Sequence, residues 1–265
     1  MSELDVGYYN SWRSWPGLVI YVSALLLVTP FLFSHRLPPR TVFPLALAGL
    51  LTGAAFTFYG VSIVLTDVLR ALLFFYLTPV WGTAIGIVLL DEKLTLARAV
   101  AVIMAILGLC VVLGFGEQSA INLGDGFALA AGLFWAMGSY KVYTLPKMPT
   151  VHLSASFLMG SIVVTGLLLL FGQDILGPKP TFPAPHVLLP YALAAGLFAV
   201  PMIMLTMWPA SILTPGRIGI LLMSEVVVGI ISAALFAGEA VGPYEAIGAV
   251  LIITASLVEV LGNKA

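Results

Sequence analysis

A chain of 265 residues with 61% hydrophobic and only 9% charged residues, and a mean hydropathy of +1.11, falls far short of the roughly one-quarter charged residues of a water-soluble domain. It is read as an all-α integral membrane protein. The formal net charge of −1 excludes a basic nucleic-acid face, and the single cysteine, Cys110, excludes an internal disulfide.

The N-terminal stretch MSELDVGYYNSWRSWP is acidic and aromatic, without the basic-then-apolar order of a cleaved signal. Beyond it, apolar runs long enough to cross about 30 Å of hydrocarbon, which takes about 20 helical residues, recur at 16–34, 42–65, 67–90, 95–114, 123–145, 153–172, 187–213, 216–236 and 242–262. Turn formers mark the joins: Pro38-Pro39, Asn122 with Gly124 and Gly126, Pro146 and Pro149, Gly177 to Pro185, and Pro215-Gly216. The runs are continuously apolar rather than alternating, so nine transmembrane helices are predicted rather than barrel strands. Pro30, Pro79, Pro201 and Pro209 are expected to kink their helices by removing a backbone donor.

Basic residues set the orientation. Arg36, Arg40, Lys93, Arg98, Lys141, Lys147, Arg217 and Lys264 fall on one side, and Arg13, Arg70 and Lys179 on the other, which makes the first side and the C-terminus cytoplasmic.

The stretch RALLFFYLTPVWGTAIGIVLLDE, from Arg70 to Glu92, returns faintly as RIGILLMSEVVVGIISAALFAGE, from Arg217 to Glu239. Arg70 and Arg217, Gly82 and Gly229, and Glu92 and Glu239 are each 147 positions apart, as are Ala48-Gly49-Leu50 and Ala195-Gly196-Leu197. An ungapped register reads as internal duplication. Spans two to four then match spans seven to nine, five spans on, and an odd displacement reverses direction across the membrane. An inverted repeat of a five-plus-five helix transporter fold is expected, in a first unit 1–118 and a second unit 119–265. The sixth span pairs with the first, and the fifth has no counterpart. The chain therefore looks like a ten-helix protein without its first helix, through either a start codon placed too late or a true nine-helix design.

At these residues the chain resembles a known family. LLFFYLTPVWGTAIGIVLLDEKLTLARAVAVIMAILGLCVVLG is similar to the EamA-type repeat of the drug/metabolite transporter superfamily, with its mid-helix Pro, a Glu after the helix and a glycine-containing closing helix. Residues 42–114 and 187–262 carry the resemblance, and GDGFALAAGLFWAMGSYKVY at 124–143 is similar to the family's opening helix of the second half. The departures are the absent first helix and the replacement of Thr78-Pro79 by Glu225-Val226 in the second copy. The resemblance implies a ten-helix fold, a central cavity between halves, and export or uptake of small polar metabolites.

The candidate working residues are those a bilayer makes expensive. Glu225 lies near the middle of the eighth span, where a charged carboxylate costs several kcal/mol unless paired or protonated. It is the candidate coupling residue, taking a proton on one side and releasing it on the other; the competing role is a protonated hydrogen-bond donor to a neighbouring helix. Arg70 and Arg217 begin equivalent helices on opposite faces, where they could draw in a carboxylate-bearing solute or snorkel to the headgroups. Tyr59, Tyr76, Thr78 and Trp81 from the first half, and Trp135, Ser139, Tyr140, Trp208 and Ser224 from the second, are the candidate solute lining, against a packing or interfacial role for each. On one continuous helix Tyr76 and Trp81 would stand about 140° apart, so only one is expected to face a narrow cavity. Gly49 with Gly53, and Gly82 with Gly86, are small enough to admit a neighbouring helix.

No metal or cofactor site is expected. His35, His152 and His186 are scattered, and there is no HExxH pair, cysteine cluster or glycine-rich phosphate loop. A membrane transferase using Asp91, Glu92 or Asp125 is the weaker alternative, since each serves as a helix cap or headgroup contact. The sequence thus predicts a secondary transporter, an exporter of small polar solutes in the inner (plasma) membrane. Lipid and solute are its partners, and a homodimer is compatible with the chain. A structural or sensory membrane subunit is the alternative.

Overall fold

The computed structural model describes residues 15–32, 37–93, 95–114, 121–172, 185–222 and 242–262. Every regular element among them is an α-helix: α1 (Trp15–Leu32), α2 (Pro39–Leu65), α3 (Val68–Phe75), α4 (Thr78–Leu89), α5 (Leu96–Gly114), α6 (Leu123–Thr144), α7 (Thr150–Phe171), α8 (Pro185–Ala210), α9 (Pro215–Leu222) and α10 (Pro243–Gly262). Among the described residues, four stretches are long and apolar enough to cross a membrane: Pro39–Leu65, Arg70–Leu89, Thr150–Phe171 and Leu188–Ala210. Leu18–Leu32, Leu96–Gly108 and Ala246–Ala255 are shorter apolar helices. The protein is a multi-pass membrane protein.

Proline sets several starts. α2, α8, α9 and α10 each begin on a proline, whose missing N–H is one the first helical turn leaves unpaired in any case. Inside helices the outcome varies. α1 runs through Pro30, and α8 runs through Pro190 and Pro201 and ends one residue past Pro209.

Pro79 coincides with a turn. A continuous third span would pair the residue-79 N–H with the carbonyl of Phe75, and proline has no N–H to give. The Phe75 carbonyl accepts the Thr78 hydroxyl instead, at 2.6 Å. Helix α3 closes with the Tyr76 N–H on Leu72 O at 2.9 Å, and α4 opens with the Val80 N–H on Leu77 O at 2.9 Å. The expected kink is therefore a tight turn at Tyr76-Leu77, both residues keeping near-helical backbone angles, within the single apolar stretch Arg70–Leu89.

Small residues position the helices. On one side of α2, a methyl at Gly49 would overlap the Ser156 hydroxyl and carbonyl of α7, and one at Gly53 the α7 backbone at Gly160 and Ser161. On its other side α2 meets α6, where a methyl at Gly138 would lie 2.6 Å from Thr52 Cγ2. Helix α1 packs on α7 and α8, with Gly196 of α8 against Ser23. Gly82 of α4 faces Pro215 of α9, and Gly108 of α5 faces the Gly248 carbonyl of α10. Without a hydrophobic drive between helices in lipid, such close approach supplies the packing that holds a bundle.

Helix boundaries repeat as well. The starts of α3 and α9, Val68 and Pro215, are offset by 147, and the starts of α5 and α10, Leu96 and Pro243, differ by the same number. The packing partners of Gly49 and Gly196, Ser156 and Ser23, are 133 positions apart, so α1 and α7 lie outside that register.

Candidate functional site

The bundle centre lies where α1, α2, α3, α6 and α7 meet, beside that turn. Trp135 of α6 and Tyr76 at the end of α3 are almost wholly buried in one apolar core, with the partly buried Tyr59 of α2 packed against it. Phe56 links Trp135, at 5.5 Å between ring centroids, to Phe157 of α7 at 4.9 Å, and Tyr21 meets Phe157 edge-on. Tyr59 and Phe75 are 4.9 Å apart, and Phe75 and Tyr76 are 5.5 Å apart. Edge-to-face contacts of this kind fix ring orientation beyond what area burial does.

Hydroxyls thread the same region. The Thr57 and Thr165 hydroxyls are 3.2 Å apart, joining α2 to α7. The indole N–H groups of Trp81 and Trp135 are buried and meet no acceptor among the described residues. A buried donor without an acceptor is costly and rare in native interiors. An aromatic core threaded by hydroxyls, with two indole donors that meet no acceptor among the described residues, thus lies beside the turn at Tyr76-Leu77.

The predicted lining residues divide. Tyr59, Tyr76, Thr78, Trp135 and Ser139 are drawn to the α2, α3, α4 and α6 contacts, and Gly132 of α6 presses on the Phe75 carbonyl and the Thr78 hydroxyl. Ser139 is buried with its hydroxyl donating to the Ala136 carbonyl at 3.0 Å. Trp81 is half-buried on α4, and because the chain turns tightly before it, the angle computed for a continuous helix does not relate it to Tyr76. Tyr140 lies toward the end of α6 with the Lys141 ammonium 5.4 Å from its ring. Trp208 is 56% exposed on α8, away from the centre. Ser224 and Glu225 lie outside the described residues.

The two arginines differ most. Arg70 makes a two-pronged contact with Asp125, Nε to Oδ1 at 3.2 Å and a terminal nitrogen to Oδ2 at 2.5 Å. Asp125 is fully buried, and its carboxylate also accepts from the Thr66 hydroxyl at 3.1 Å and the Asn122 N–H at 3.0 Å. Asn122 answers with its side-chain oxygen on the Asp125 N–H, a capping box that starts α6. One carboxylate thus ties together the end of α2, the start of α3 and the start of α6. Arg217, at the start of α9, is exposed and has no ion pair among the described residues.

A second tie closes the turn between α4 and α5. Glu92 pairs with the buried Arg98 at 2.9 Å, its carboxylate lies against Gly86, and Asp91 adopts φ 52° to make the bend. Sequence reasoning assigned Asp125 a capping role and left out its pairing with Arg70; it also passed over Tyr21, Thr57 and Thr165. The Asn122-to-Asp125 spacing was the visible signal for the cap, whereas isolated hydroxyls in apolar runs carry none.

The model of the EamA-like transporter family matches residues 1–114 and 122–260. A solved structure described only as "Crystal structure of protein" is similar at 20% identity and a TM-score of 0.63, over 95% of this chain and 88% of that one, and carries the fold alone. No curated protein matches the chain.

Proposed function

The chain belongs to the EamA-like transporter family, and from that premise we propose that it is a secondary transporter of nine spans in two inverted units that exports small polar metabolites. The family is one of membrane transporters of the drug/metabolite type, not of enzymes. The observation that carries the finer reading is the tight turn at Tyr76-Leu77, beside which Tyr59, Tyr76 and Trp135 gather. Broken helices near the midplane are where transporters of inverted-repeat construction bind solute, because an interrupted helix offers backbone and side-chain polar groups that a continuous one keeps to itself. The 147-residue spacing of α3 and α9 supports the two-unit construction.

The solute we propose carries acceptor oxygens, which the Trp81 and Trp135 indoles would bind. Glu225 is the proposed proton carrier, the C-terminus is cytoplasmic, and the membrane is the inner one. The test uses the protein in liposomes with a panel of amino-acid-like and drug-like solutes under an imposed pH gradient. Gradient-dependent movement of at least one polar solute is expected, reduced about tenfold in Trp135→Phe, which keeps a six-membered aromatic ring and removes the pyrrole with its N–H donor; a tenfold loss corresponds to about 1.4 kcal/mol of binding. Glu225→Gln is expected to abolish the dependence on pH. An unchanged rate and pH profile in that variant would end the proton-carrier assignment, and no movement of any solute would end the transport one.

A further inference from the structure

The two parts of the apolar stretch Arg70–Leu89 meet different surroundings. Helix α4 ends on the exposed Val88 and Leu89, as a helix beside lipid does. Helix α3 has no such stripe: from Ala71 to Phe75 no residue is more than 7% exposed, so protein encloses it on every side. It stands between the aromatic centre, where Tyr76 at its end shares one core with Trp135, and the end of the bundle marked by the exposed Asp67 and Asn122. Both ends of α3 are held by α6. At its start Arg70 makes the two-pronged contact with Asp125, and at its close a methyl on Gly132 would lie 2.9 Å from the Phe75 carbonyl. That carbonyl, which Pro79 leaves without a backbone donor, is satisfied by the Thr78 hydroxyl.

We propose that α3 is a lid over the aromatic centre, hinged at Tyr76-Leu77 and latched shut by the Arg70–Asp125 pair. The hinge is built for bending. A proline two residues past the turn removes the backbone bond that would stiffen it, and a rotatable side-chain hydroxyl stands in for that bond. The latch is built for release. When Arg70 leaves, the Asp125 carboxylate keeps the Thr66 hydroxyl and the Asn122 N–H, so the cap of α6 survives and only the guanidinium has to find new partners. Arg70 lies in the first turn of α3, at the exposed end, where water takes it up. Closure also carries a cost: it leaves the Trp135 indole N–H buried with no acceptor among the described residues, and opening admits one. An ion pair set against an unmet donor is the balance a two-state element needs. The inference rests on the transport reading, which requires the centre to open to a side of the membrane, but its test reads α3 alone.

The test places the full chain in nanodiscs, in a Cys110→Ala background, with either Ala71→Cys on α3 or Ala24→Cys on α1; both alanines are wholly buried, and Gly196 of α8 packs on Ala24. A hydrophilic maleimide reacts with either thiol only when that site meets water. Arg70→Gln is expected to raise labelling at Ala71→Cys at least about tenfold and to leave Ala24→Cys unchanged. Arg70→Lys, which keeps the charge, is expected to return most of the closure. An unchanged rate at Ala71→Cys, an equal rise at both cysteines, or a lysine variant as open as the glutamine one would overturn the latch. Hydrogen exchange on the unsubstituted protein is the second reading. The amides of 71–75 are expected to exchange together and ahead of the buried amides of α2 and α6, and exchange in step with those helices would overturn the lid. Solute movement in liposomes decides the transport reading, which fails or stands without altering the labelling result.

Discussion

Arg70 and Arg217 are the same residue type at positions 147 apart, each in the first turn of its helix, yet the bundle treats them oppositely. Around Arg70 three helix ends converge on one buried carboxylate; Arg217 has no such partner among the described residues. The difference originates in α6, which packs on α2 and has no counterpart against α8 among the described residues. An arginine that begins a membrane helix is therefore not a fixed functional element. Its neighbours decide whether it clamps a helix junction or remains available at the surface.

The sharpest way to break this comparison is to remove the carboxylate. Asp125→Asn leaves the side-chain shape and much of the cap while removing the charge that faces Arg70, whose side chain is only 12% exposed. Removing one partner of a buried ion pair costs about 3 kcal/mol or more, because the remaining charge stays desolvated. A large fall in the thermal midpoint in detergent is expected. Arg217→Gln, in the same assay, should change stability by less than about 0.5 kcal/mol, as exposed substitutions do. Equal effects at the two sites would show that the asymmetry has no energetic content.

Next in size is the pair Gly49 and Gly196. A methyl at Gly49 collides with backbone atoms of Ser156, which cannot move without shifting α7, whereas at Gly196 its nearest contact is the Ser23 hydroxyl at 2.8 Å, which can rotate. Overpacking of this kind costs about 1–3 kcal/mol, so Gly49→Ala should approach that range and Gly196→Ala should fall below it. Gly166→Ala, where a methyl would meet nothing within 4 Å, is the control. The readout is again the detergent melting midpoint.

Much of the helical framework was legible because lipid leaves the backbone few choices. Apolar runs of about 20 residues become helices when every N–H must find a carbonyl nearby, and the run predicted at 123–145 is the observed Leu123–Thr144. The turn at Tyr76-Leu77 was half legible: Pro79 announced a lost donor, but the Thr78 hydroxyl that takes over the Phe75 carbonyl is visible only in three dimensions. The site was less legible still. Tyr59, Tyr76 and Trp135 gather at one centre while Trp208 faces outward, and nothing in an all-round apolar helix such as α8 tells which side meets protein and which meets lipid. Asp125 illustrates the limit. Its capping role is local and follows from Asn122 three residues before it, but its pairing with Arg70 spans 55 positions and depends on how α3 meets α6.

The smallest effect probes the serines at the two glycine contacts. Ser156 donates across helices to the Leu45 carbonyl of α2 at 2.6 Å, whereas Ser23 donates within its own helix to Ile20 O at 3.0 Å. Hydrogen bonds between membrane helices average about 0.6 kcal/mol, because the separated helices find other partners. A serine turned back onto its own helix contributes nothing to association and slightly weakens the ladder. Ser156→Ala should therefore lower stability by about 0.6 kcal/mol, and Ser23→Ala should leave it unchanged or raise it. If instead the two alanines behaved alike, the α2–α7 contact would be held by the close approach of Gly49, Gly53 and Gly160 alone, and the hydroxyl of Ser156 would be incidental to it.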